Sequence, residues 1–548
     1  SAIEEATLTA DLSSEAESSG GSGDFGDGGE MAANGLIATN TVLSGAAAYI
    51  KNSVVTTLGS GDITVSAENT ATIEAMVVNA TTSGEKAIGA TLAFNTVGWL
   101  PQNILFQAID ALIGTDIGDE HPADTAAYIQ SGSAHAAGAI SVTATNTAAI
   151  TADVSNETTA DASGLDGATG TTFGALVVMN KVSGRATAGL GGDLQSGDDV
   201  TASAQDTTHL EAKLQAISSS TIDSTSPFSD GSATGFAGAI VINDVRGGAV
   251  AYIESATVNA TGNVLVEALE DATLTAELTT EAEASGAAEF GNGTELAASG
   301  LIATNLVLSV ATAYIKNSTN VTSGGNVTVN AQNTANLEAT LVNATSSGET
   351  GIGVTLAFNT IGWEPQNLLF NALDAILGTS IGDEQPSDVS AYIQNSNVNA
   401  SGTVTVSASS TATLTASVDN KTEVDASGFT GASGLSVGVV VAMNKVSSAA
   451  KAYISGGSVT AIGGISVSAD DHPSIEATLI LVSTVTADNT DPFSDGDATG
   501  MSAAISLNDL RGGAIAYIDG ATITVTGGDV EVSAIEEATL TADLSSEA

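Results

Sequence analysis

The stretch ITVSAENTATIEA, from Ile63 to Ala75, places apolar side chains at alternate positions. This period of two predicts a β-strand with one buried face. A near copy, VTVNAQNTANLEA, runs from Val327 to Ala339. In each copy one polar residue, Asn69 or Asn333, interrupts the apolar series. We therefore expect a strand that recurs along the chain and carries one polar position among its apolar ones.

The same strand pattern recurs along all 548 residues. Its polar interruptions are spaced by 60 to 77 residues, and they fall at Asn69, Asn146, Asp206, Glu270, Asn333, Ser410, Asp471 and Glu536. On a larger scale, GLIATN at 35–40 returns at 300–305. The repeats define a first half-period (residues 1–266) and a second (267–532), each of four β units. Residues 533–548 are identical to 1–16 and begin the next period, so we expect a window from a longer tandem array.

A unit of about 63 residues with so few aromatic side chains cannot bury a large core alone. Stacking on similar neighbours buries both ends of each unit, which is how solenoids become stable. The sequence therefore predicts an all-β, repetitive β-solenoid-like fibre of stacked units. It leaves open whether one coil takes about 20 residues or a whole unit, because both give strand layers about 4.8 Å apart.

The seven tyrosines all lie at the centre of an A-Y-I tripeptide, and Tyr49 and Tyr314 hold corresponding places in the two halves. Alternation turns Ala48 and Ile50 inward, so it turns Tyr49 outward. Stacked units would then present tyrosines as a row, which the third unit interrupts with Gly189. Two interpretations remain: cross-strand packing, or a row that binds a ligand.

Each half also carries an insert, GWLPQNILFQAIDALIG from Gly98 and GWEPQNLLFNALDAILG from Gly362. Its apolar residues recur at helical spacing, with proline near the start and glycine at the end. We expect a short amphipathic helix within about 98–122 and within about 362–386, lying on a β-surface. A docking site between fibres and a ligand-binding knob are the alternatives, because the large side chains concentrate here as in interface hot spots. The interaction candidates of the insert are Trp99, Phe106, Trp363 and Phe370.

Charge and motifs exclude several classes of function. The 63 acidic and 11 basic residues give a formal net charge of −52, which repels nucleic acid and anionic membranes. No apolar run is long enough to span a bilayer. The four histidines lie outside any metal-spaced pair, and their positions in the opposite half hold other residues. We expect no catalytic residues and no enzymatic activity.

Calcium is the one cofactor that the sequence leaves open, and none is required. Glycine-rich acidic loops offer the oxygen ligands that Ca²⁺ prefers, but without EF-hand or nonapeptide spacing. The alternative is solvated loops in a cation atmosphere. The candidate ligands are Asp24, Asp27, Glu30, Glu289, Asn292, Glu295, Asp230 and Asp495.

The segments AYIESATVNATGNVLVEA at 251–268 and AYIQNSNVNASGTVTVSA at 391–408 resemble repeats of very large secreted bacterial surface proteins. These are the filamentous-adhesin and leukotoxin-like exoproteins. The resemblance implies a β-solenoid-like stalk that is secreted and works in adhesion, cell contact or fibre formation. The expected partners are further copies of the same repeat, in tandem or end to end, with lateral fibre contacts or cell-surface glycans as further candidates. The alternative is an adhesin module that binds a glycan or protein through the tryptophan-bearing insert or the tyrosine row.

Overall fold

The computed structural model describes residues 1–19, 29–100, 119–164, 168–224, 231–286, 294–364, 383–428, 432–489 and 496–548. Regular structure in these residues is entirely β-strand, and two large parallel sheets contain most of it. The prediction of an all-β fold is therefore confirmed. The parallel stacking is consistent with a β-solenoid-like fold.

The first sheet has ten strands, namely Ala2–Ser18, Ile63–Ser83, Ile140–Gly164, Val200–Ser224, Val264–Ser285, Val327–Ser347, Val404–Gly428, Ile465–Asn489, Val530–Glu536 and Thr539–Glu547. The second sheet has sixteen, namely Met31–Val42, Ala46–Lys51, Val54–Thr56, Lys86–Val97, Thr125–Gln130, Ser133–Ala136, Thr169–Ser196, Ser232–Ala260, Thr294–Val307, Val310–Lys316, Asn320–Ser323, Thr350–Ile361, Val389–Ala400, Ser433–Ala461, Asp497–Asp519 and Thr522–Val525. Two short antiparallel ribbons pair Trp99–Leu100 with Asp119–Glu120 and Trp363–Glu364 with Asp383–Glu384.

Strand register shows how much chain one coil takes. Asn146 lies opposite Asn69 on one side and Asp206 on the other, and these three residues are the polar interruptions of successive units. One coil is therefore a whole unit, which contributes one long stretch of strand to each sheet. At about 4.8 Å per layer, eight units advance about 38 Å. A coil of about 20 residues would pair neighbours much closer in sequence, so this alternative is wrong.

The interior lies between the two sheets and is lined mainly by small aliphatic side chains. Ile63, Val65 and Ala67 of the first sheet share one buried cluster with Ala46 and Ala48 of the second. Every second residue of Ile63–Ser83 points into this interior, as the alternation predicts. Alanine and β-branched residues suit two long, closely packed sheets.

A left-handed residue marks a corner three positions after each tyrosine position. Its φ is 52° at Asn52 and 51° at Asn317, and glycine takes this place in other units, as at Gly456 with φ 65°. Asparagine, serine and glycine tolerate this region better than β-branched residues do. The corner redirects the chain. It ends the AYI strand in some units, as in Ala46–Lys51 and Val310–Lys316, whereas the strand continues through it in others, as in Ser232–Ala260 and Val389–Ala400.

The predicted helical inserts are not seen. The described ends of the insert at 98–122 are not helical, because Trp99–Leu100 and Asp119–Glu120 form an antiparallel ribbon that joins them. The second insert has the equivalent ribbon. Residues 101–118 and 365–382, with Phe106 and Phe370, lie outside the described residues. The apolar residues on which the helix prediction rests fall within these two ranges, so the helix itself stays a prediction.

Candidate functional site

The tyrosines form a stacked ladder on the outward face of the second sheet. Parallel register places Tyr314 between Tyr252 and Tyr392, which belong to the preceding and following units. The ring centroids of Tyr314 and Tyr392 are 5.1 Å apart, and the ring planes differ by 4°. Tyr49 is 59% exposed, as alternation predicts for an outward side chain. The hydroxyl of Tyr314 also donates to Oε2 of Glu254 at 3.3 Å.

Stacking leaves the tyrosines unsuited to hold a flat ligand. Tyr314, Tyr392 and Tyr453 have a ring against each face, so only their edges and hydroxyls point outward. Tyr49 and Tyr517, at the ends of the ladder, each have one stacked neighbour. Gly189 replaces the tyrosine of the third unit, but it leaves no slot, since a Cβ there would lie 2.3 Å from the ring of Tyr252. Tyr252 therefore already packs over Gly189. This geometry favours cross-strand packing over a ligand-binding row.

A second ladder, of asparagines, lies on the buried face of the second sheet and was missed from the sequence. Nδ2 of Asn180 donates to Oδ1 of Asn243 at 3.0 Å, and Nδ2 of Asn243 donates to Oδ1 of Asn305 at 2.9 Å. The same bond joins every neighbouring pair along the whole series, which comprises Asn40, Asn95, Asn180, Asn243, Asn305, Asn359, Asn444 and Asn508. The available signal was the asparagine that each unit keeps in its GLIATN, TLAFNT, MNKV or related segment.

The polar interruptions of the first sheet form a third ladder, which we call the interior polar ladder. Nδ2 of Asn69 donates to Oδ1 of Asn146 at 2.9 Å, and Nδ2 of Asn146 donates to Oδ1 of Asp206 at 2.8 Å. The backbone N–H of Gly248 donates to Oδ2 of Asp206 at 3.0 Å. Gly248 has φ 123°, and a Cβ there would lie 2.0 Å from the carbonyl oxygen of Val310, so this close approach requires glycine. A glycine of the repeated R-G-G tripeptide thus donates a backbone hydrogen bond to the interior polar ladder.

Two acids meet where the ladder continues. Glu270 is opposite Asp206 in the next strand, and both side chains are 2% exposed. Burial raises the pKa of Asp206 to about 7. Burial, followed by the neighbouring Asp206, raises the pKa of Glu270 well above its usual range. In the second half, burial raises the pKa of Asp471, and burial and Asp471 raise that of Glu536 to about 7.

Trp99 is buried, with two cations over its ring. Its side chain is 4% exposed, with Nζ of Lys181 4.6 Å and the guanidinium carbon of Arg246 5.0 Å from the ring centroid. The carboxylate of Asp244 lies 3.1 Å from Arg246 and 4.0 Å from Lys181. Cations over an indole face are attracted by its quadrupole. The cluster fixes the base of the insert to the second sheet.

The second half repeats this cluster around Trp363, which is also 4% exposed. Nζ of Lys445 lies 4.8 Å and the guanidinium carbon of Arg511 4.5 Å from the ring centroid. Arg511 contacts Asp509 at 3.0 Å and Glu384 at 3.4 Å. The arrangement is therefore a property of the half-period, and in both copies the described contacts are internal.

Most of the predicted calcium ligands lie outside the described residues, namely Asp24, Asp27, Asp230, Glu289, Asn292 and Asp495. Glu30 is described, and its backbone N–H donates to Oε2 of Glu85 at 3.2 Å. Glu295 is buried, and its backbone N–H bonds the carboxylate of Glu349, whose pKa is raised by burial. No group of three or more histidine, aspartate or glutamate side chains among the described residues is arranged to hold one metal ion. Calcium in these loops stays a prediction.

Comparison with protein family models, curated protein sequences and solved structures finds no match for this chain. The resemblance to secreted bacterial surface proteins therefore stays a prediction. Among the described residues, none lies in a helix long and apolar enough to cross a membrane.

Proposed function

We propose that this chain is a structural segment of an extracellular fibre or stalk of a giant tandem-repeat bacterial surface protein. In this role it serves adhesion, cell contact or surface-filament formation. Its partners are further copies of the same repeat, joined in tandem or end to end. Secretion rests on the resemblance of the strand repeats, and the mechanical role rests on the geometry of the stack.

The observation that carries the proposal is the in-register stacking of every unit on the next. Stacked aromatics and asparagine ladders add stability to parallel, in-register strands, and both kinds of ladder run through this chain. Each unit contacts mainly its neighbours, so further units lengthen the stack without changing its width.

The two edges of the first sheet support elongation by identical units. Glu4 lies opposite Asn69 near one edge, and Glu536 lies opposite Asp471 near the other. Glu4 and Glu536 are the same position of the repeat, within the identical segments 1–16 and 533–548. A unit with the sequence of Ile63–Ser83 added beside Val530–Glu536 would therefore find the register that is already used at the opposite edge.

The binding-module alternative has less geometric support. Its tryptophans are buried beneath cations, and most faces of its tyrosine rings are covered by neighbouring tyrosines. A glycan that stacks on aromatic side chains needs an accessible ring face. No catalytic arrangement supports an enzymatic role among the residues described.

The test is electron microscopy of chains that contain one, two and four copies of residues 1–532. We expect particles of constant width whose length grows by about 38 Å for each period. X-ray diffraction from aligned samples should show the strand spacing of about 4.8 Å along the same axis. Particles that grow in all dimensions, or that separate into independent globules on a string, would contradict a fibre.

A further inference from the structure

The outward face of the first sheet keeps acidic side chains apart. In one outward row, glutamates alternate with threonines along the stack, as at Glu74, Thr151, Glu211 and Thr275. Neighbours in such a row are about 4.8 Å apart, where like charges repel. Within the described register of the first sheet, only Asp206–Glu270 and Asp471–Glu536 join an acid to an acid.

These two exceptions occur on the buried face and at the same place in both halves. Asp206, Glu270 and Asp471 are buried, where repulsion between like charges is stronger than in water, whereas Glu536 lies exposed at the edge of the sheet. Each pair also contacts a glycine of the R-G-G tripeptide, since the backbone N–H groups of Gly248 and Gly513 donate to Asp206 and Asp471. The pairs are therefore built into the repeat.

The direction of the hydrogen bonds shows what the first pair, Asp206 and Glu270, lacks. Along the interior polar ladder, amide groups donate toward Asp206, and both of its oxygens accept an N–H. On the other side, the hydroxyl of Ser309 is the donor near Glu270, but no donor of the described residues lies between the carboxylates of Asp206 and Glu270. Oδ1 of Asn333 in the next strand also has no partner in hydrogen-bond geometry among the described residues. Oxygen atoms thus face one another from Asp206 through Glu270 to Asn333. A donor is missing at this point of the ladder.

We propose that a proton held by Glu270 supplies this donor, so that the stack closes fully at this point only when Glu270 is protonated. A protonated Glu270 can donate to Oδ1 of Asn333 or to Asp206, and it removes one of two buried charges. A divalent cation fits less well, because Ca²⁺ needs six to eight oxygens and both oxygens of Asp206 are already engaged. This proton-dependent closure goes beyond the structural role proposed above and does not depend on it.

The other charged groups around the pairs set the direction of the pH dependence. Asp124 acts on Asp206, and Asp271 acts on Glu270, both opposing ionisation. His472 acts on the second pair and favours ionisation there. The pKa of Asp206 rises from 3.8 to about 7 on folding. Since folding also raises the pKa of Glu270, the contribution of the pair to stability is fully present below about pH 4 and is lost as the pH rises through the raised pKa values of the two acids.

The test is hydrogen exchange, read as protection factors, on the 548-residue chain at pH 5 and pH 8. We expect the strands that carry Asp206 and Glu270 to lose protection by up to about tenfold per pH unit for each proton released. The strand Ile63–Ser83, where Asn69 bonds Asn146, is the internal comparison and should change much less. Equal pH dependence in both places would overturn the proposal.

The variant Glu270→Gln supplies N–H donors without charge. The strands that carry the first pair should then stay protected from hydrogen exchange at pH 8. The strands that carry the second pair, Asp471–Glu536, should still lose protection as the pH rises. The matched control Glu338→Gln, at an exposed outward position, should leave both unchanged. In the wild-type chain, infrared spectra should contain a buried protonated carboxyl band at pH 5 that weakens at pH 8. If CaCl₂ restored protection from exchange at pH 8 and EDTA removed it, a cation rather than a proton would occupy the site at Glu270. That result would overturn the proposal.

Discussion

The ring of Tyr392 lies 4.8 Å from the ring of Tyr453, and the two planes differ by only 2°. The residues belong to successive units and meet because the strands that carry them are parallel and in register. Since Tyr392 also stacks on Tyr314 at 5.1 Å, it has a ring on each face. The ladder is therefore a continuous internal contact along the stack.

Replacing a ring in the middle of the ladder removes two stacking contacts. Tyr392→Ala should lower the free energy of unfolding by about 1–3 kcal/mol, from two aromatic pairs at about 0.5–1.5 kcal/mol each. Tyr392→Phe keeps the ring and should cost much less. Tyr49→Ala loses a single stacked neighbour, Tyr128, so its loss in free energy of unfolding should lie between those of the two Tyr392 variants. Urea unfolding followed by circular dichroism measures the order, and equal effects of the alanine and phenylalanine variants would contradict stacking.

The ladder should also make the protein sensitive to alkali. Burial first, and the neighbouring Tyr392 and Tyr517 next, raise the pKa of Tyr453 to about 12 from an ordinary value of 10.0. The neutral ring thus contributes stability that is present below about pH 10 and is lost as the pH rises toward 12. Tyrosinate absorbance should show ionisation above pH 10 that coincides with loss of β-structure. In denaturant, all seven tyrosines should titrate near pH 10; the same curve in the folded protein would argue against the ladder.

An interior break in the asparagine ladder should cost more than a polar change on the surface. Asn243→Ala leaves the donor of Asn180 and the acceptor of Asn305 without their partner, at about 1–3 kcal/mol for each orphaned group. The control Asn336→Ala alters an exposed side chain of the first sheet and should stay within about 0.5 kcal/mol. Urea midpoints of the two variants give the comparison. Similar midpoints would mean that water replaces the ladder bonds at no cost.

The buried tryptophans should behave as core residues. Trp99→Ala should lower the free energy of unfolding by about 3–5 kcal/mol, because a large side chain leaves a cavity beneath Lys181 and Arg246. Phe173→Ala removes an aromatic ring that is 47% exposed and should cost much less. In the folded wild type, acrylamide should quench tryptophan fluorescence weakly. Strong quenching, with little loss of stability in Trp99→Ala, would favour a partner-binding role instead.

Local pattern predicted much of this fold, because the alternation of apolar and polar residues within one segment shows which face of the strand is buried. Alternation around Asn69 identified the buried face, and the A-Y-I tripeptide identified Tyr49 as outward. Pattern could not be checked for the helix of the insert, because its apolar residues lie in 101–118 and 365–382, outside the described residues. Its apolar spacing could not reveal that Trp99 lies beneath Lys181 and Arg246, which come from units further along the chain.

The sequence by itself determined the repeating unit, the strand type and the side of the strand on which each side chain lies, since these depend on spacing within one segment. Only the tertiary structure decided which strands become neighbours, and therefore that one coil takes a whole unit. That choice turns separate residues into ladders: Asn243 meets Asn305, and Asp206 meets Glu270, over 62 and 64 residues of chain. The physical reason is that a period of two fixes a face, whereas register is fixed by long-range packing of one unit on the next.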